Sequence, residues 1–171
     1  MTLMTLIFLI LRVTHIVAGI LWAGGALALT LFVAPTMSAT GDAGKQFAGH
    51  LITKTRFSAY MMVTGLTTVL VGSVLYGIDS NWFQSAWMKT GTGIGFGIGA
   101  AVGIAAFIFG IMLGNANKAL AALGAQIQGK PTAEQMTALQ ALLKQQSMTS
   151  QGNMVFMFIS ILMMASARLL G

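Results

Sequence analysis

The sequence predicts an all-α fold: a transmembrane four-helix bundle with helical cytoplasmic extensions of helices 2, 3 and 4. Three observations carry this expectation. Of 171 residues, 56% are hydrophobic and only 7% charged, whereas soluble domains average about 25% charged. Four apolar stretches are each long enough to cross a hydrocarbon core of roughly 30 Å, which takes about 20 helical residues. Nearly all of the Lys, Arg, Asp and Glu fall between those stretches. The same numbers exclude a disordered chain and, with no cysteine, a disulfide scaffold. The net charge is +6, but the basic residues are scattered, with no aromatic-interleaved cluster. They fit loop charges facing anionic lipid and not nucleic-acid binding.

The first span covers residues 3–34 and is interrupted only by Arg12 and His15. As one helix it would run about 48 Å at 1.5 Å per residue, so it must tilt or protrude. Pro35 supplies its expected stop. No Lys or Arg precedes residue 12, so this helix is expected to act as its own insertion signal. Helix 2 is expected to begin near Ala43, run unbroken through Lys54 and enter the membrane near Phe57, spanning residues 57–78. Tyr76, Trp82 and Trp87 form an interfacial aromatic belt at its far end.

Helix 3 is predicted from about Thr90 to Gln128, with its span at residues 91–114. Gly91, Gly95, Gly99 and Gly103 recur every four residues, which predicts close approach of another helix backbone. "GTGIGFG" is no phosphate loop, because no strand precedes it and no Lys-Ser/Thr follows. Gly129-Lys130-Pro131-Thr132 reads as a turn, and Thr132 with Gln135 as a capping box. Leu120, Leu123 and Ile127 are expected to meet Met136, Leu139 and Leu143 across a cytoplasmic hairpin of residues 115–150. The fourth span is residues 152–170, with Arg168 snorkelling at its end.

Orientation follows from counting Lys and Arg beside the spans. Lys45, Lys54, Arg56, Lys118, Lys130 and Lys144 lie on one side, Lys89 and Arg168 on the other. The richer side is expected to be cytoplasmic. That places both termini outside, in what is expected to be a bacterial inner membrane.

Arg12, His15, Gly19, Trp22 and Ala26 share one face of helix 1, at steps of three and four. An ionisable residue inside a span faces the bundle interior and is a functional hypothesis by default. His15 has three readings: a hydrogen bond to a neighbouring helix, a haem or metal ligand, or proton transfer. Gly19, one turn on, would leave room for a flat macrocycle. Met164, and less so Met163, is placed at a matching depth near the end of helix 4. His50 belongs to the opposite end, on the order of 35 Å from His15, so the pair cannot ligate one iron. The 13 methionines suit gap-filling or Cu(I) binding. The acids Asp42, Asp79 and Glu134 all fall outside the expected spans, which removes carboxylate relays and paired-carboxylate catalysis. Thr64, Thr67, Thr68 and Ser73 are expected to hydrogen-bond between helices.

The pattern H-x6-W-x-G-G at His15, Trp22, Gly24 and Gly25, with Pro35 after it, resembles the opening helix of the copper-resistance D-like group. It is also similar, more weakly, to the first helix of haem-binding membrane protoporphyrinogen oxidases. "PTAEQMTALQALLKQQ" and "MMASARLL" are similar to segments of small four-helix members of the copper-resistance D-like group. The resemblance implies a four-helix bundle with His15 as a haem or metal ligand. Three functions are carried forward. One is a non-catalytic accessory or packing subunit of a membrane redox assembly or homo-oligomer, its partners being the lipid bilayer and other membrane subunits or itself. The second is a haem b-binding electron-transfer or oxidase protein, with His15 as axial ligand beside Gly19 and Met164. The third is a copper-handling permease.

Overall fold

A computed structural model describes residues 2–171, and all its regular structure is helical. Five helices carry it: α1 Leu3–Ala39, α2 Gly41–Lys54, α3 Phe57–Asp79, α4 Gly91–Gln126 and α5 Ala133–Ser166. The last runs into a 3-10 turn at Ala167–Leu169. α1, α3, α4 and α5 are long and apolar enough to cross a membrane. Their outward faces are apolar too: Phe32 is 69% exposed, Ile20 65% and Phe158 60%. Such surface is tolerated in contact with lipid and not water. The protein is an integral membrane protein, an all-α bundle of four spans.

Pro35 does not end the first helix. The ring removes one donor and crowds the carbonyl four residues back. The chain absorbs this in a π-helical turn at Leu29–Val33, where the Ala34 N–H reaches the Leu29 carbonyl. The Thr36 hydroxyl then donates to the Phe32 carbonyl at 2.7 Å. Helix continues to Ala39, and the corner falls at Gly41, whose φ of +58° suits glycine. Gly44 completes it, because a Cβ there would strike the Met37 carbonyl.

The expected unbroken helix 2 is also corrected. Thr55 takes an extended conformation at φ −104° and ψ 169°, so α2 is a separate polar helix before α3. On the other side α4 and α5 do run as long helices, joined by a short turn. The Thr132 and Gln135 capping box is present, at 3.2 and 3.0 Å. The hairpin register differs in part from expectation: Leu139 turns inward as expected, but Met136 and Leu143 are exposed and Leu142 turns inward instead. Gln146 donates to Asn117 at 2.7 Å, and this polar pair, rather than an apolar ladder alone, sets the register.

The bundle is two helix pairs. α1 packs along α3, and α4 along α5; the pairs meet through α3 and α4, while α1 and α5 touch sparsely. The glycines of α4 face α5 as expected. A Cβ on Gly95 would lie 3.0 Å from the Ala167 Cα, one on Gly99 3.2 Å from Met164, and one on Gly103 2.9 Å from the Ser160 hydroxyl. Ser160 and Asn153 donate across this seam to the carbonyls of Gly99 and Ala106, at 2.8 and 2.7 Å.

Candidate functional site

Where the two pairs diverge, a cavity of about 620 Å³ opens, inside the range of about 300–1,000 Å³ typical of ligand sites. It occupies the half of the bundle that holds the chain termini. Its floor is the small core of Trp22, Ala26, Ala106 and Met157. There Trp22 meets Phe107 edge-on at 5.9 Å, and Gly65 gives both rings room. α1 contributes Arg12, His15 and Gly19 to the walls; α3 contributes Thr68, Gly72 and Asp79; α4 contributes Gly99 and Gly103; α5 contributes Met164.

His15 Nδ1 lies 2.9 Å from the Thr68 backbone carbonyl on α3. A carbonyl only accepts, so Nδ1 carries the proton. Nε2 has no protein hydrogen bond among the described residues, which leaves its lone pair free. The contact depends on Gly72: a Cβ there would sit 2.6 Å from His15 Cε1 and 2.9 Å from Nδ1. Glycine thus uncovers the carbonyl that orients the ring. Thr68 itself spends its hydroxyl on the Thr64 carbonyl at 2.7 Å, one turn back in its own helix. Thr64 and Ser73 do the same. The expected interhelical bonding by these hydroxyls is therefore replaced by back-bonding within α3, and the α1–α3 link runs through the imidazole and through the Tyr60 hydroxyl, which donates to the Leu21 carbonyl at 2.7 Å.

His15, Gly19 and Met164 all line the one cavity, His15 and Gly19 from the α1–α3 pair and Met164 from the α4–α5 pair. His50 is exposed on α2, apart from them. Asp79, expected in a connection, is the last residue of α3 and stands at the cavity mouth with Arg12 and Arg168. Among the described residues only Lys45 and Asp42 form an ion pair, so the three mouth charges have no direct partner. Gly72 and the Thr68 carbonyl were not identifiable from the sequence, since nothing at their positions differs in kind from neighbouring Gly and Thr. Among the described residues no three His, Cys, Asp or Glu side chains converge to hold a metal ion. Comparison with family profiles, curated proteins and solved structures returned no match.

Proposed function

We propose that the protein is a small membrane subunit that holds one haem b between its two helix pairs and serves electron transfer within a larger redox assembly. The observation that carries this reading is the His15 hydrogen bond to the Thr68 carbonyl. Ligating histidines almost always donate their second ring N–H to a carbonyl or carboxylate, which fixes the tautomer and raises basicity at the ligating nitrogen. Here that nitrogen is Nε2. Gly19 and Gly72 on one pair and Gly99 and Gly103 on the other line the cavity, with the space at Gly72 taken by the His15 ring, at Gly99 by Met164 and at Gly103 by Ser160. The Met164 thioether lines the facing wall and is the matching second ligand. Haem, when bound, supplies one-electron chemistry whose potential its axial ligands tune. Held by both His15 and Met164, the group would serve electron transfer rather than oxygen chemistry. The Trp22 and Met157 floor keeps water from reaching the site through the bundle.

The test is spectroscopic. Protein purified from haem-replete cells should show a Soret band and a sharp α band on reduction. His15→Ala should remove both. Met164→Leu should keep haem but replace the low-spin spectrum by a five-coordinate one. A protein that stays colourless after reconstitution with hemin, or a His15→Ala variant with an unchanged spectrum, would overturn the reading.

A further inference from the structure

The two seams between helices that enclose the cavity on the α5 side are built differently. α4 and α5 are zipped by glycine, whereas α1 and α5 come together only near the Trp22 and Met157 floor and part towards the termini. Ile16 and Ile20 on α1, and Ile161 on α5, line the cavity and are still 47%, 65% and 43% exposed. Side chains that face a cavity and the surroundings at once are its lips. At this depth the surroundings are lipid, so the cavity opens sideways into the bilayer. At the interfacial end stand Arg12 and Arg168 with Asp79, all on the cavity lining. Both guanidinium groups lie within Coulombic reach of the one carboxylate. Neither makes an ion pair among the described residues. Two cations against one anion leave a positive charge in excess, with guanidinium donors shaped for carboxylate or phosphate.

We propose that the α1–α5 seam is a lateral gate through which an anionic amphiphile passes from the termini-side leaflet into the cavity, its charged end received by Arg12 and Arg168. The gate needs only an apolar body and an anionic head in its ligand. It rests on the haem reading solely for the resident ligand, haem being such an amphiphile with two carboxylates. An apolar body slides between Ile20 and Ile161 without unsatisfied polar groups, while the head never leaves the interface. Entry from water would instead drag the apolar body past the charged mouth.

The chain has no cysteine, which gives a clean background. A Trp82→Phe, Trp87→Phe variant leaves Trp22, on the cavity floor, as the single tryptophan, excited apart from the two tyrosines. In vesicles, a brominated fatty acid should quench Trp22 more strongly than the matching brominated alcohol. In Arg12→Gln, Arg168→Gln the acid should lose about tenfold or more in affinity, the scale of charge-assisted hydrogen bonds. Unchanged quenching by the alcohol would show that this variant remains folded. Cross-linking Ile20→Cys to Ile161→Cys with a bismaleimide should slow entry, and the same variant uncross-linked should not. Equal quenching by acid and alcohol, or an entry rate indifferent to the cross-link, would overturn the gate. A protein without a Soret band but with arginine-dependent quenching would discard haem and uphold the gate. Haem loading at an unchanged rate in the cross-linked protein would uphold haem and discard the gate.

Discussion

The α4–α5 seam and the α1–α5 seam flank the same cavity and are opposites. In the first, glycine stands every four residues on α4, backbones nearly touch, and Ser160 and Asn153 donate to bare carbonyls across it. In the second, Ile16, Ile20 and Ile161 line the cavity and remain partly exposed, and among the described residues no hydrogen bond joins α1 to α5. Lipid is as apolar as a packed side chain, so burial of apolar groups gives helices little reason to associate in a membrane. Close packing and interhelical hydrogen bonds remain. A seam without small residues therefore stays open, and a cavity beside it needs no special device. The position of glycine, more than the amount of apolar surface, decides where this bundle is closed.

The hardest way to break the comparison is to fill the closed seam. Gly95→Leu puts atoms where the Ala167 Cα and Cβ already lie 3.0 Å from a bare Cβ. Backbone cannot yield as a side-chain tip can, and overpacking costs about 1–3 kcal/mol. Thermal unfolding in detergent should show a large fall in midpoint. Gly24→Leu, at a site with open space, should leave it nearly unchanged. Equal midpoints for the two variants would mean that the glycine seam does not hold α4 and α5 together.

A smaller change separates the site from the scaffold. Gly72→Ala places a Cβ 2.6 Å from His15 Cε1. The ring is a movable side chain, so the fold should survive while the hydrogen bond to Thr68 is displaced. The unfolding midpoint should move little, and haem affinity should drop by about tenfold, the size seen when a ligand's outer support is lost. An unaltered affinity would show that the Thr68 carbonyl does not orient the ring.

These two glycines also mark what a sequence can and cannot disclose. Gly95 was legible, because a four-residue repeat has a single geometric meaning on a helix. So was the shared face of Arg12, His15, Gly19 and Trp22, and the cap at Thr132. Gly72 was not, because its role depends on which residue of another helix arrives opposite it. Pro35 misled for a related reason: its cost is local, but a π turn six residues earlier at Leu29 spreads it over the helix. The break at Thr55 and the register set by Gln146 and Asn117 depend on how helices meet, which periodicity along one helix does not encode. Asp79 lay beyond the expected end of its span, yet the helix carries it onto the cavity lining.

The smallest expected effect comes from the one place among the described residues where opposite charges do pair. Lys45 donates to Asp42 at 2.8 Å, one turn apart on α2, with side chains 80% and 90% exposed. The hydrogen bond first, and then the charge of Lys45, hold the Asp42 carboxyl below its ordinary value of 3.8. A carboxylate with a depressed folded pKa adds stability above its unfolded pKa. That contribution fades as pH falls through the folded pKa. For Asp42 the fading begins near pH 4 and finishes below it. Water screens a pair this open, and exposed pairs often contribute nothing measurable. Asp42→Asn should therefore leave the unfolding midpoint unchanged at neutral pH and barely alter its decline below pH 4. The mouth charges differ, because Arg12 and Arg168 face an apolar cavity without a paired anion. Removing them should alter what the cavity binds, whereas removing Asp42 should alter almost nothing. If Asp42→Asn shifted the midpoint as far as Gly95→Leu, charge on α2 would rival helix packing, and the account of how this bundle closes would have to be rebuilt around it.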